Sequence, residues 1–94
     1  MCVNLVHHTT KSFRIRLAAL PEQVQRLARK NYELLRADPR HPSVRLKQIS
    51  TSSRGAIYSA RVGRDYRAVG QMCNGELYWQ WIGPHDEYDR LIRG

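Results

Sequence analysis

A chain of 94 residues, 41% of them hydrophobic, has apolar side chains for one modest core and none to spare for a second lobe that could house a cofactor. Sixteen Lys and Arg against eight Asp and Glu give a formal charge of +8, which favours a polyanionic partner: nucleic acid, the ribosome or an acidic protein. Cys2 and Cys73 are too few for a disulfide framework, and no apolar run approaches the ~20 residues of a membrane span, so a cytoplasmic protein without a leader is expected.

With no repeat, low-complexity tract or Gly/Ser-rich linker, residues 1–94 are expected to form a single domain. Residues 2–6 read as a short edge strand. Over residues 9–19, Phe13, Ile15 and Leu17 alternate with Arg14 and Arg16, which fits a strand or a short helix, the helix being preferred. Pro21 at a first helical position, Glu22 in the first turn and Val24, Leu27, Ala28, Leu34 and Leu35 near helical spacing predict an amphipathic helix over about 21–37, stopped at Asp38-Pro39. Gln25, Arg26, Arg29, Lys30 and Arg36 fall on its outer side, either as a solvated stripe or as a nucleic-acid contact. Arg40 to Val44 reads as loop.

Strands follow: Leu46 to Ile49, Ala56 to Val62, Tyr66 to Cys73 and Leu77 to Ile82, rich in aromatic and β-branched residues and separated by turn signals. A helical layer followed by consecutive hairpins predicts an α+β fold. Asn74-Gly75 suits a two-residue type I′ turn, in which both residues take positive φ, and pairing outward from it sets Met72 against Leu77, Gly70 against Trp79 and Ala68 against Trp81. That face, with both indoles, is the expected core. The other face sets Gln71 against Tyr78, Val69 against Gln80 and Arg67 against Ile82, and is too polar to lie under a helix.

The preceding hairpin turns at Gly63-Arg64-Asp65. If Val62 pairs with Tyr66, Arg61 lies opposite Arg67 on the polar face, a like-charge pair costing roughly 0.2–1 kcal/mol unless an anion bridges it. A phosphate is the natural bridge; a slipped register, or a contact from one arginine to Asp65, is the alternative. His85 follows the last strand at the same end of the sheet. An imidazole there could move a proton to or from a ribose hydroxyl or leaving oxygen, or it could simply begin a helix. Tyr88 lies one helical turn further on. Asp86, Glu87 and Asp89 suit the start of a short terminal helix, whose dipole favours acids, better than a cation site. His7, His8 and His41 lack ligand spacing and read as surface or loop residues. There is no Gly-rich phosphate loop, nucleophile elbow, HExxH or paired-Cys site, so neither metal nor cofactor is expected.

The run from Ile57 to Val69 resembles the strand-turn-strand core of the RelE/ParE toxin superfamily of type II toxin-antitoxin systems, and Trp79 to Tyr88 is similar to its final strand and terminal motif. The Pro21 helix and the Pro39-Arg40-His41-Pro42-Ser43 loop match its order. The resemblance implies a helical layer on a twisted, mainly antiparallel sheet with a short C-terminal helix. It also implies a toxin that cuts mRNA on the ribosome by attack of a ribose 2′-hydroxyl on the adjacent phosphate, without metal. By that resemblance Arg61 and Arg67 would hold the phosphate, His85 would act as general base or acid, Tyr88 would stack on or orient the substrate, and Lys47 and Arg64 would bind RNA. A cognate antitoxin would cover the basic face. Ser59 stands where some nuclease members carry a basic residue, and no carboxylate occupies the equivalent strand, which leaves the non-enzymatic, DNA gyrase-poisoning branch as the alternative.

Overall fold

The structure is a computed structural model that describes residues 6–38 and 40–93, so residues 2–5 of the expected first strand lie outside the described part. β1 (Val6–Thr9) leads into α1 (Lys11–Ala18). Thr10 makes the junction: its hydroxyl oxygen accepts from the Phe13 N–H at 3.2 Å, while its own O–H and N–H each reach the Trp79 carbonyl at 3.0 Å. Helix is thus the right reading of this segment. Phe13 is buried, whereas Ile15, which strand alternation would place beside it, is 60% exposed.

α2 (Glu22–Ala37) begins one residue later than expected. Pro21 precedes the helix and supplies the carbonyl that accepts the Val24 and Gln25 N–H groups at 2.9 and 3.1 Å. Asp38, in extended backbone, closes it. The sheet is completed by β2 (Lys47–Ser52), β3 (Gly55–Val62), β4 (Tyr66–Cys73) and β5 (Glu76–Pro84), and α3 (His85–Arg93) ends the chain's described part. The strand order is β1-β5-β4-β3-β2, antiparallel throughout except that β1 runs parallel to β5. The fold is α+β as expected.

The inner face of the sheet packs under α1 and α2, where Phe13, Leu35, Ala60, Val62, Leu77 and Trp79 form the centre of the core. Burial of the Phe, Leu and Val side chains among them contributes about 1.5–3 kcal/mol each. Asn31, buried among them on α2, donates from Nδ2 to the Arg61 carbonyl at 2.7 Å and so ties the helix to β3.

Asn74 and Gly75 take φ of 52° and 79°, and Met72 and Gly70 face Leu77 and Trp79 as predicted. The register then shifts between Val69 and Gly70, with Gln80 as the extra residue on β5. Val69 therefore pairs with Trp81, Ala68 with Ile82 and Arg67 with Gly83, which corrects the expected pairing from this point onward. A single inserted residue exchanges the faces of everything beyond it. Ile82, 2% exposed, enters the core, and Trp81 leaves it for the outer face.

Candidate functional site

The turn from Gly63 to Asp65 sets the register of β3 on β4, with Gly63 at φ 66°, and places Arg61 directly opposite Arg67 on the outer face. Among the described residues, neither arginine has a carboxylate within ion-pair distance. The Nε of Arg61 is buried without a hydrogen-bond partner. Arg67 spends one nitrogen, Nη1, on the carbonyl of Tyr66 at 2.9 Å and more weakly on that of Arg64 at 3.5 Å. Burial and then the charge of Arg61 hold the Arg67 guanidinium below its ordinary value; Tyr88 and Asp89 pull it up, and Arg45 pushes it down. Arg45, Arg61, Arg67, Tyr88 and Asp89 thus gather at one end of the sheet, together with His85.

His85 is placed by the main chain. Its N–H donates to the Asp65 carbonyl at 2.7 Å, fastening the start of α3 to the turn that carries the arginine pair. Its Nε2 lies 3.2 Å from Asp89 Oδ2, four residues on, and its Nδ1 is buried and unpartnered. The dipole account suits Asp86 and Glu87 in the first turn. Asp89 does more, since it holds His85 and acts on Arg67.

α3 packs against β4 and β5 and brings Glu87 and Tyr88 over this end of the outer face, which is therefore not wholly open. Tyr88 is 5% exposed, its ring centroid 6.1 Å from that of His85. A ring so buried presents no open face to a substrate in the free chain; towards Arg67 it acts through its hydroxyl. Lys47 pairs with Ser59, two residues before Arg61 along β3, and is exposed on the same face. Arg64 is exposed at the turn, and it is its carbonyl that meets Arg67. Lys30, Ser43, Arg61 and Arg64 line an adjoining groove of about 340 Å³.

Arg45 is the site residue that the sequence did not reveal. It follows Val44, whose carbonyl accepts the Arg61 N–H, and it takes φ of 48°, a left-handed conformation that is costly outside glycine. Its position in a loop carries no periodic signal. His7 is likewise not a surface residue: it faces the core, accepts the Trp79 indole N–H on Nδ1 at 3.1 Å and meets Tyr32 edge-on at 5.4 Å. His8 turns outward, stacked on Tyr78 at 4.5 Å and bonded to Glu76 at 2.8 Å. Among the described residues no three His, Cys, Asp or Glu side chains are grouped to hold a metal, and no helix is long and apolar enough to cross a membrane.

A twisted five-stranded sheet with two helices on one face and a basic, histidine-bearing end on the other defines a RelE-like toxin fold. The model of the ParE-like toxin domain matches residues 22–90, and the chain belongs to that family within the RelE/ParE superfamily. Among solved structures, it is similar to a chain of the archaeal RelE-RelB complex from Pyrococcus horikoshii, with 18% identity and a TM-score of 0.68 over 86% of this chain and 94% of that one. The toxin-antitoxin complex RelBE2 from Mycobacterium tuberculosis gives 19% identity and 0.67 over 88% and 100%. The RelB-RelE complex from Methanococcus jannaschii gives 16% and 0.66 over 88% and 96%. No curated protein sequence matches the chain.

Proposed function

We propose that this chain, acting as a single domain over residues 1–94 in the cytoplasm, is the toxin of a type II toxin-antitoxin system and a metal-independent endoribonuclease that cuts mRNA on the ribosome. The observation that carries the reading is the Arg61/Arg67 pair: two guanidiniums opposed across a ladder, without a carboxylate partner among the described residues, beside an anchored histidine. Such a pair is destabilising until an anion lies between them, and a phosphodiester is an anion of the right valence and shape.

A ribose 2′-hydroxyl attacks the adjacent phosphorus; the 2′-O–P bond forms, the P–O5′ bond breaks, and Arg61 and Arg67 stabilise the charge that builds on the phosphoryl oxygens. Arg45 and Lys47 add positive potential around it. With Nε2 beside the Asp89 carboxylate at 3.2 Å, His85 in its Nε2-protonated form would offer the Nδ1 lone pair to take the 2′-hydroxyl proton and return it to the 5′-oxygen. Nδ1 is buried in the free chain, so substrate has to displace the packing over it. The Tyr88 hydroxyl orients Arg67 or the phosphate.

The antitoxin partner is supported by the structural relatives, which are toxin-antitoxin complexes, and by the net charge of +8, which an acidic chain would cover. A second reading, poisoning of DNA gyrase without catalysis, is favoured by one observation, the ParE-like description of the matching family. Primer extension on a reporter mRNA after induction decides between them. The nuclease reading expects discrete, translation-dependent cuts that vanish in His85→Ala. Growth arrest with intact mRNA, and supercoiling inhibition indifferent to His85→Ala, would instead establish the gyrase reading.

A further inference from the structure

The two tryptophans of β5 have opposite fates. Trp79 is 5% exposed and its indole N–H is held by His7, so it is structural. Trp81 is only partly buried, and the Gln80 bulge delivers it to the outer face in the row next to the arginine pair. Its position there is specific. Gly83 is the cross-strand partner of Arg67, and the indole carbons Cζ2 and Cη2 lie 2.7 and 2.8 Å from where a Cβ on Gly83 would stand. The benzo half of the ring therefore fills the space that the residue opposite Arg67 would otherwise occupy. The exposed Arg16 of α1 lies with its guanidinium carbon 5.8 Å from the ring centroid.

We propose that Trp81 is the stacking platform for a nucleobase of single-stranded RNA, the base attached to the nucleotide whose phosphate lies between Arg61 and Arg67. The inference rests on the outer face being an RNA-binding face, but not on cleavage. Same-face neighbours on a strand stand about 6.6 Å apart, a span that one nucleotide covers from base to phosphate. An aromatic ring accepts any base face, and flanking cations add to the attraction; Arg16, which lies over the ring in the free chain, would swing out to admit the base and close over it. Without the bulge the ring would be in the core and Ile82 would face the arginines.

The test uses the whole chain and a short single-stranded RNA made uncleavable by 2′-deoxy substitution. Its binding is followed by anisotropy and by tryptophan emission, to which buried Trp79 adds a constant background. The expected results are quenching on binding, lost in Trp81→Leu; an affinity lower by about 5- to 150-fold in Trp81→Ala and largely restored in Trp81→Phe; and the same loss in the native chain when one nucleotide is abasic. The abasic oligonucleotide should bind Trp81→Ala no more weakly than it binds the native chain. Comparing intact with abasic RNA on the native chain needs no folded variant to reveal the base's contribution. Equal affinity of intact and abasic RNA for the native chain overturns the inference, as does no binding of either. Quenching that persists in His85→Ala, with the native chain cutting nothing, would sink the nuclease reading and leave the stacking role standing.

Discussion

The indole N–H of Trp79 donates to Nδ1 of His7 across 3.1 Å, joining β5 to β1 beneath the Tyr32 ring of α2. Burial first, then the charges of Arg36 and His8, hold His7 below its ordinary 6.5. The unfolded chain therefore takes up this proton more readily than the folded one. The stability is complete above pH 6.5 and is lost as the pH falls below it towards the folded value. The thermal midpoint should decline from about pH 7 to pH 5, before most carboxylates titrate, and His7→Asn, which keeps an acceptor for Trp79 but cannot ionise, should flatten that limb. An unchanged slope in His7→Asn would assign the effect to another group.

Opposed arginines imply a trade between stability and function. Arg61→Gln or Arg67→Gln should raise stability by about 0.2–1 kcal/mol in urea unfolding while abolishing growth arrest. The two changes together should gain less than their sum, because either one alone removes the repulsion.

His85 and Asp89 should behave as a unit. If imidazole proton transfer is worth ~10² to 10⁴ in rate, His85→Ala loses that factor in a reconstituted translation assay, and Asp89→Ala loses part of it. Adding Asp89→Ala to His85→Ala should then cost little more. A large further loss would show that Asp89 acts chiefly through Arg67, the other group its charge reaches.

Gly75 offers a clean measure of the turn. It sits at φ 79°, and a Cβ added there would meet nothing within 4 Å, so Gly75→Ala costs conformational energy alone. About 1–2 kcal/mol is expected, a thermal midpoint lower by about 4–8 °C per kcal/mol in a domain of this size. A far larger drop would indicate that the turn controls more than its own residues.

How much of this was legible beforehand depends on periodicity. The α2 stripe, the Asn74-Gly75 turn and the Arg61–Arg67 opposition each follow from a repeating pattern or a turn of defined length, and all are present. Trp79-Gln80-Trp81 alternates as an unbroken strand would, so nothing local announces that Gln80 is extra; the bulge is set by what the two faces must bury, and Ile82 wins the core position. Arg45 belongs to the site through a loop conformation, and His7 belongs to the core through a partner at the other end of the chain. Asp89 looked like one acid among three because only the finished helix shows which carboxylate reaches His85.

The pairing of Val6 with Glu76 has a consequence for synthesis. A nascent chain makes β1 first, yet that strand has no neighbour until β5 has been translated, so the sheet cannot close progressively from its N-terminal edge. Long-range closure of this kind is entropically slow, and it coincides with the arrival of α3, which carries His85 and Asp89. Edge and site thus mature in the same late event. Until then the translating ribosome holds a chain whose arginine hairpin exists without its histidine.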